Sequence, residues 1–158
     1  MKNEKYKLSI SNVELRNIML LHEECRRIHS AMQYSMKHMT GSEDMEVSYH
    51  FPTLGPNKEL ADPILLKHSI TAYDSAYTIM VQCSQHLQLH LEPMILYALE
   101  HDLKDYKQYF GDLYTAGFKG IRMAVENFKP TSLNIDDYFY QNIVAHMHSV
   151  AIGLNEPS

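Results

Sequence analysis

The sequence predicts an all-α protein: a four-helix bundle of the up-down type, with one long loop between helices 1 and 2. Two observations predict it. Apolar residues recur at steps of three and four through four long stretches, and glycine or proline punctuates the chain between them. There is no internal repeat. With 158 residues, 45% of them apolar and 21% charged, the chain suits one domain over residues 1–158.

Residues 1–11 read as a charged leader. Ser11-Asn12-Val13-Glu14 then matches a capping box, with Ile10 and Leu15 placed as a hydrophobic staple, so helix 1 starts near Asn12. Its expected core stripe is Leu15, Ile18, Leu21, Cys25, Ile28, Met32, Met36 and Met39. His22 and His29, two helical turns apart, fall just inside one border of that stripe. Thr40-Gly41 ends the helix.

Residues 41–62 contain Gly41, Pro52, Gly55 and Pro56 and cannot continue it. Met45, Val47, Tyr49 and Phe51 alternate with Glu46, Ser48 and His50, which predicts an extended segment with one apolar face. A connection of this length is either functional or mobile.

Asp62-Pro63 is a strong helix start, and helix 2 is expected to run to about Leu91. Its stripe holds Leu66, Ile70, Tyr73, Tyr77, Met80 and Leu87, widened by Leu65, Ala72, Ala76 and Cys83. Pro93 calls for a kink or a turn; a turn is favoured because one helix from 63 to 128 is too long for a compact domain. Helix 3 then begins at Pro93, with Leu96, Leu99, Leu103, Tyr106, Phe110 and Leu113 inward. Gly111, Gly117 and Gly120 either break it near Gly117 or admit a closely packed neighbour. Helix 4, capped by Asn134 or Ser132, is expected to end at Ile152 with Gly153 as its stop, its stripe being Ile135, Phe139, Ile143, His146 and Val150.

Composition narrows the function classes. No run of eighteen apolar residues is present, so no membrane partner is expected, and the charged N-terminus is not a secretory signal. Cys25 and Cys83 read as two reduced, buried thiols of a cytoplasmic protein. A net charge of −5 without a dense basic patch disfavours nucleic acid as a partner.

The ten histidines are the main chemical lead. His22, His29 and His146 lie on core stripes, and His86 and His90 form an i,i+4 pair on helix 2, the spacing many metal sites use. These five are the candidate metal ligands, for a transition metal or for haem. If helices 1 and 2 pack antiparallel with ends aligned, His22 sits level with Met80 and His86 lies ~9 Å further along, so that register does not close a coordination sphere. One turn of slip would change that answer. A di-iron site requires Glu-x-x-His motifs, and none occurs. Gly-rich phosphate loops and the Gly-x-Ser-x-Gly elbow are also absent.

Arg16-Asn17-Ile18-Met19-Leu20-Leu21-His22 resembles the Arg-x(4–6)-His motif of the HEPN family, helical-bundle proteins many of which cleave RNA at a dimer interface. The resemblance covers these seven residues. It implies that Arg16 would stabilise phosphate charge while His22 acts as acid or base.

Val13, Leu20 and Tyr34 sit on the back of helix 1, and Leu89 and Tyr97 also look outward. With Tyr49 and Phe51 of the long loop they form a candidate interaction surface, in a chain with eleven tyrosines and ten methionines. The leading expectation is a non-enzymatic, self-associating protein-interaction module. A metal- or haem-binding bundle and a HEPN-like ribonuclease are the alternatives.

Overall fold

The structure, a computed structural model, describes residues 5–40, 63–129 and 134–156. Among them are four α-helices and no strand: α1 (Asn12–Thr40), α2 (Pro63–Glu100), α3 (Phe110–Glu126) and α4 (Ile135–Asn155). A short 3-10 helix, Lys104–Tyr109, precedes α3. The expected all-α, four-helix architecture is therefore present. None of the described helices is long and apolar enough to cross a membrane. The expected extended segment with Tyr49 and Phe51 lies outside the described residues. Contacts group the chain into two compact units, Met1–Leu20 with Cys83–Ser158, and Leu21–Gln82.

The first unit is a four-helix bundle around one core. Its entry point is Ser11, whose side-chain oxygen accepts the Glu14 N–H at 3.1 Å while its carbonyl accepts the Leu15 N–H at 2.9 Å. Both bonds satisfy donors that a helix N-terminus leaves open. Ile10 and Leu15, the expected staple pair, are both buried in the core.

The N-terminal segment corrects the reading of residues 1–11 as a charged leader. Tyr6 is 2% exposed, and Leu8 and Ile10 are buried with it, whereas Lys5, Lys7 and Ser9 face out. Tyr6, Leu8 and Ile10 face the bundle although the backbone turns at residues 5–7, where Lys7 takes a left-handed φ of 57°. Tyr6 donates to Asp137 Oδ1 at 3.2 Å, and its ring packs against Tyr97 (centroids 5.2 Å) and Tyr140 (4.7 Å). Tyr140 in turn donates to Asp102.

A second correction concerns Pro93, which lies inside α2 rather than in a turn. Proline removes the hydrogen bond to the Leu89 carbonyl and costs about 3 kcal/mol in a helix interior. Leu91, Met94 and Ile95 flank it with no exposed surface, each contributing about 1.5–3 kcal/mol by burial, so continuity wins. The break falls instead at residues 101–109. There the Leu103 N–H bonds the Ala98 carbonyl (2.8 Å), and Tyr106 (φ −113°, ψ 32°) leaves helical geometry. Leu96 and Phe110, expected inward, are exposed.

Gly117 and Gly120 do not break α3; they admit close neighbours. A Cβ at Gly117 would sit 2.7 Å from the Ile95 side chain of α2, and one at Gly120 would sit 3.0 Å from Ile143 Cα of α4. Tyr138 ties α4 to α3 by donating to the Ala124 carbonyl at 2.6 Å. Asn134 caps α4 by its extended conformation without a side-chain bond, and Asp136 and Asp137 complement the positive end of the helix dipole. The helix runs through Gly153 to Asn155, correcting the expected stop, and its buried row is Phe139, Ile143, Met147 and Ala151.

The second unit is a helical hairpin of the later half of α1 and the earlier half of α2. His22, Cys25 and Met36 are buried on α1, and Leu66, Ser69 and Ala76 on α2. The stripe on α1 is rotated from the expected one. Leu15, Met19, His22, Cys25 and Met36 are buried along the helix, while Leu21 and Ile28 are exposed. On α2 the expected stripe members Tyr77 and Leu65 are likewise exposed.

Candidate association surface

Rotation of α1 decides what the histidines can do. His22 is 4% exposed, with Nδ1 3.7 Å from Glu23 Oε1. His29 is half-buried, stacked on Tyr73 at 4.0 Å between ring centres and 5.9 Å from Tyr77. Its Nε2 is buried and makes no hydrogen bond among the described residues. Burial lowers the pKa of His29, and the charge of Asp74 opposes that shift. His146, half-buried on α4, is also lowered by burial and then by the charge of Lys119. Of the two, His22 is the more deeply buried, while His29 reaches α2 through its stack on Tyr73.

The expected metal constellation does not assemble from all five residues. Among the described residues, no group of three or more His, Cys, Asp or Glu side chains is placed to hold a metal ion. The His29–Tyr73 stack fixes the end-aligned register, which also sets His22 level with Met80, so the turn of slip needed to change the answer has not occurred. His86 and His90 do lie together, with ring centres 4.3 Å apart. His101 is exposed, stacked on Tyr97 at 4.0 Å. Cys25 and Cys83 are both buried and form no disulfide.

Arg16 is exposed, whereas His22 is buried in the seam. A residue pair acting on one phosphodiester must present both groups to it. The side chains of the HEPN-like motif do not share that access.

The expected interaction residues divide. Val13, Leu20 (57% exposed), Tyr34 (66% exposed) and Leu89 are all open. Tyr97, expected outward, is half-buried, because the N-terminal segment brings Tyr6 against it. Two further residues, Leu21 and Ile28, join the open set, although stripe counting places them inside. The signal that marks their position is the seven-residue recurrence Leu15, His22, Met36 with His29 between, which outlines a seam once histidine is allowed to count as a core residue.

On α1, steps of four and three from Val13 pass through Asn17, Leu20, Glu24, Arg27, Ala31, Tyr34 and His38, and all eight are exposed. This is a second heptad-like stripe, on the side of the helix away from the seam. Glu24 and Arg27 pair within it. His38 packs edge-on against Tyr34 at 4.2 Å.

No protein-family model, curated protein or solved structure matches the chain.

Proposed function

We propose that this is a non-enzymatic protein-association module, and that its partner is a second copy of the same chain. The observation that supports it most strongly is the inverted burial of the hairpin. Among the described residues of that unit, the buried hydrophobics are Cys25, Met36, Leu66 and Ala76. Leu21, Ile28, Tyr34, Ile64, Leu65, Tyr77 and Val81 are exposed. A hairpin that turns His22 inward while leaving Leu21 and Ile28 in water gains little from its own seam. Burying such residues contributes about 1.5–3 kcal/mol each, which a packed partner would recover.

Charge favours a second copy as that partner. Glu24 and Arg27 lie one turn apart on the exposed stripe, with Leu20 and Ala31 outside them. A two-fold axis between residues 25 and 26, with the copies of α1 antiparallel, sets each Glu24 beside the partner's Arg27 and each Leu20 beside the partner's Ala31. The same patch then serves both copies, as an isologous interface requires. A cytoplasmic location belongs to the same proposal and rests on a chain with only two cysteines, both of them buried. The test is the mass of the native species by light scattering, with Leu20→Glu and Tyr34→Glu combined as the dissociating variant. A monomeric wild-type chain removes the proposal.

A further inference from the structure

His86 and His90 are one turn apart on α2, within the first unit. His86 is exposed and His90 half-buried. Their ring centres are 4.3 Å apart and their planes 59° apart. Two imidazoles bound cis to one metal, each nitrogen ~2.0 Å from it at an angle of about 90°, hold their ring centres about 4.5 Å apart. The ring separation is compatible with that arrangement, and it follows from the i,i+4 spacing on one helix.

A second observation comes from another part of the chain. Ser9 Oγ lies 3.1 Å from His90 Nδ1. Ser9 belongs to the N-terminal segment anchored by buried Leu8 and Ile10, so this contact arises from the tertiary fold. In the tautomer that donates its Nδ1 proton to Ser9, the His90 Nε2 keeps its lone pair for a ligand. Metal-binding histidines commonly have their second nitrogen held in this way.

We propose that His86 and His90 form an open two-imidazole chelate for a nitrogen-preferring divalent transition-metal ion, with Ser9 as a positioning residue. No third His, Cys, Asp or Glu among the described residues completes the sphere. The remaining positions belong to water, so the site exchanges its metal and differs from a closed, four-ligand structural zinc centre. Two imidazoles on adjacent positions suit Ni(II) or Cu(II), whose tetragonal geometries place neighbouring nitrogen ligands at about 90°. Neither histidine lies on the exposed stripe of α1.

Calorimetric titration of the full chain with Ni(II) tests it. The expected result is one site per chain, weakened roughly tenfold or more by His86→Ala or by His90→Ala, since either change leaves a single imidazole. Ser9→Ala should weaken it by about three- to tenfold with an unchanged thermal midpoint, and Ser9→Thr should restore it. His86→Gln, at an exposed position, covers the case in which an alanine variant loses helicity. Cu(II) electron paramagnetic resonance gives a separate readout: coupling to two imidazole nitrogens in the wild type and to one in His86→Gln. Full Ni(II) affinity in the variant lacking both imidazoles, or no wild-type binding at millimolar metal, overturns the proposal.

Discussion

The imidazole of His29 on α1 stacks on the phenol ring of Tyr73 on α2, with ring centres 4.0 Å apart and planes 24° apart. This contact sets the register of the hairpin and leaves a titratable group in its seam. Burial lowers the pKa of His29 from its ordinary value of 6.5, against the opposing charge of Asp74. Burial and then Lys119 lower that of His146. Both groups therefore bind fewer protons when folded than when unfolded. Stability is complete above the ordinary imidazole value and falls as pH drops from there toward the lower folded values. The thermal midpoint should decline between about pH 7.5 and about pH 5, and His29→Phe, which keeps a stacked ring, should decline less. An equal decline in the variant would show that His29 does not contribute.

The glycines of α3 make opposite predictions according to what faces them. Gly117→Ala would place a methyl group 2.7 Å from the buried, branched Ile95 side chain and should cost about 1–3 kcal/mol in urea unfolding. Gly111→Ala meets nothing within 4 Å and should be neutral or stabilising by up to about 1 kcal/mol. Equal effects would mean that α3 does not approach α2 as described.

Tyr6 separates hydrogen bonding from packing in the N-terminal segment. Burial, then the neighbouring Asp137 charge, raises its pKa above the phenol's ordinary value and keeps it a donor. Tyr6→Phe retains the ring between Tyr97 and Tyr140 and should cost about 1 kcal/mol. Tyr6→Ala leaves a cavity and should cost about 3–5 kcal/mol. If the alanine variant were as stable as wild type, residues 5–11 would not be part of the core.

Local chemistry made the helix starts legible. Ser11 caps α1, and Pro63 opens α2 at the expected place, because capping depends on a few adjacent residues. Features decided by tertiary burial were less visible. Pro93 stays within α2 because the side chains around it are buried, a fact that proline itself cannot signal. Leu21 and Ile28 look like core by hydropathy, and the place of His29 in the seam depends on Tyr73 across the hairpin. For Tyr6, Leu8 and Ile10 the period of two was present but short, flanked by lysines, and easily passed over as a charged leader. Of the histidine candidates, helix spacing correctly paired His86 with His90. Convergence of all five needed distances between helices, and these do not bring them together.

The exposed stripe of α1 makes one further prediction. Arg27→Glu should weaken self-association, because it sets like charges across the proposed two-fold, and adding Glu24→Arg should restore it. Failure of the reversed pair to recover the assembly would exclude this antiparallel register.

The most direct measurement is the native mass of the purified 158-residue chain across a dilution series. Self-association through α1 requires a species of twice the 18.3 kDa chain mass, shifting to monomer in the combined Leu20→Glu and Tyr34→Glu variant with helicity unchanged. A wild-type chain that remains at 18.3 kDa throughout the series contradicts it.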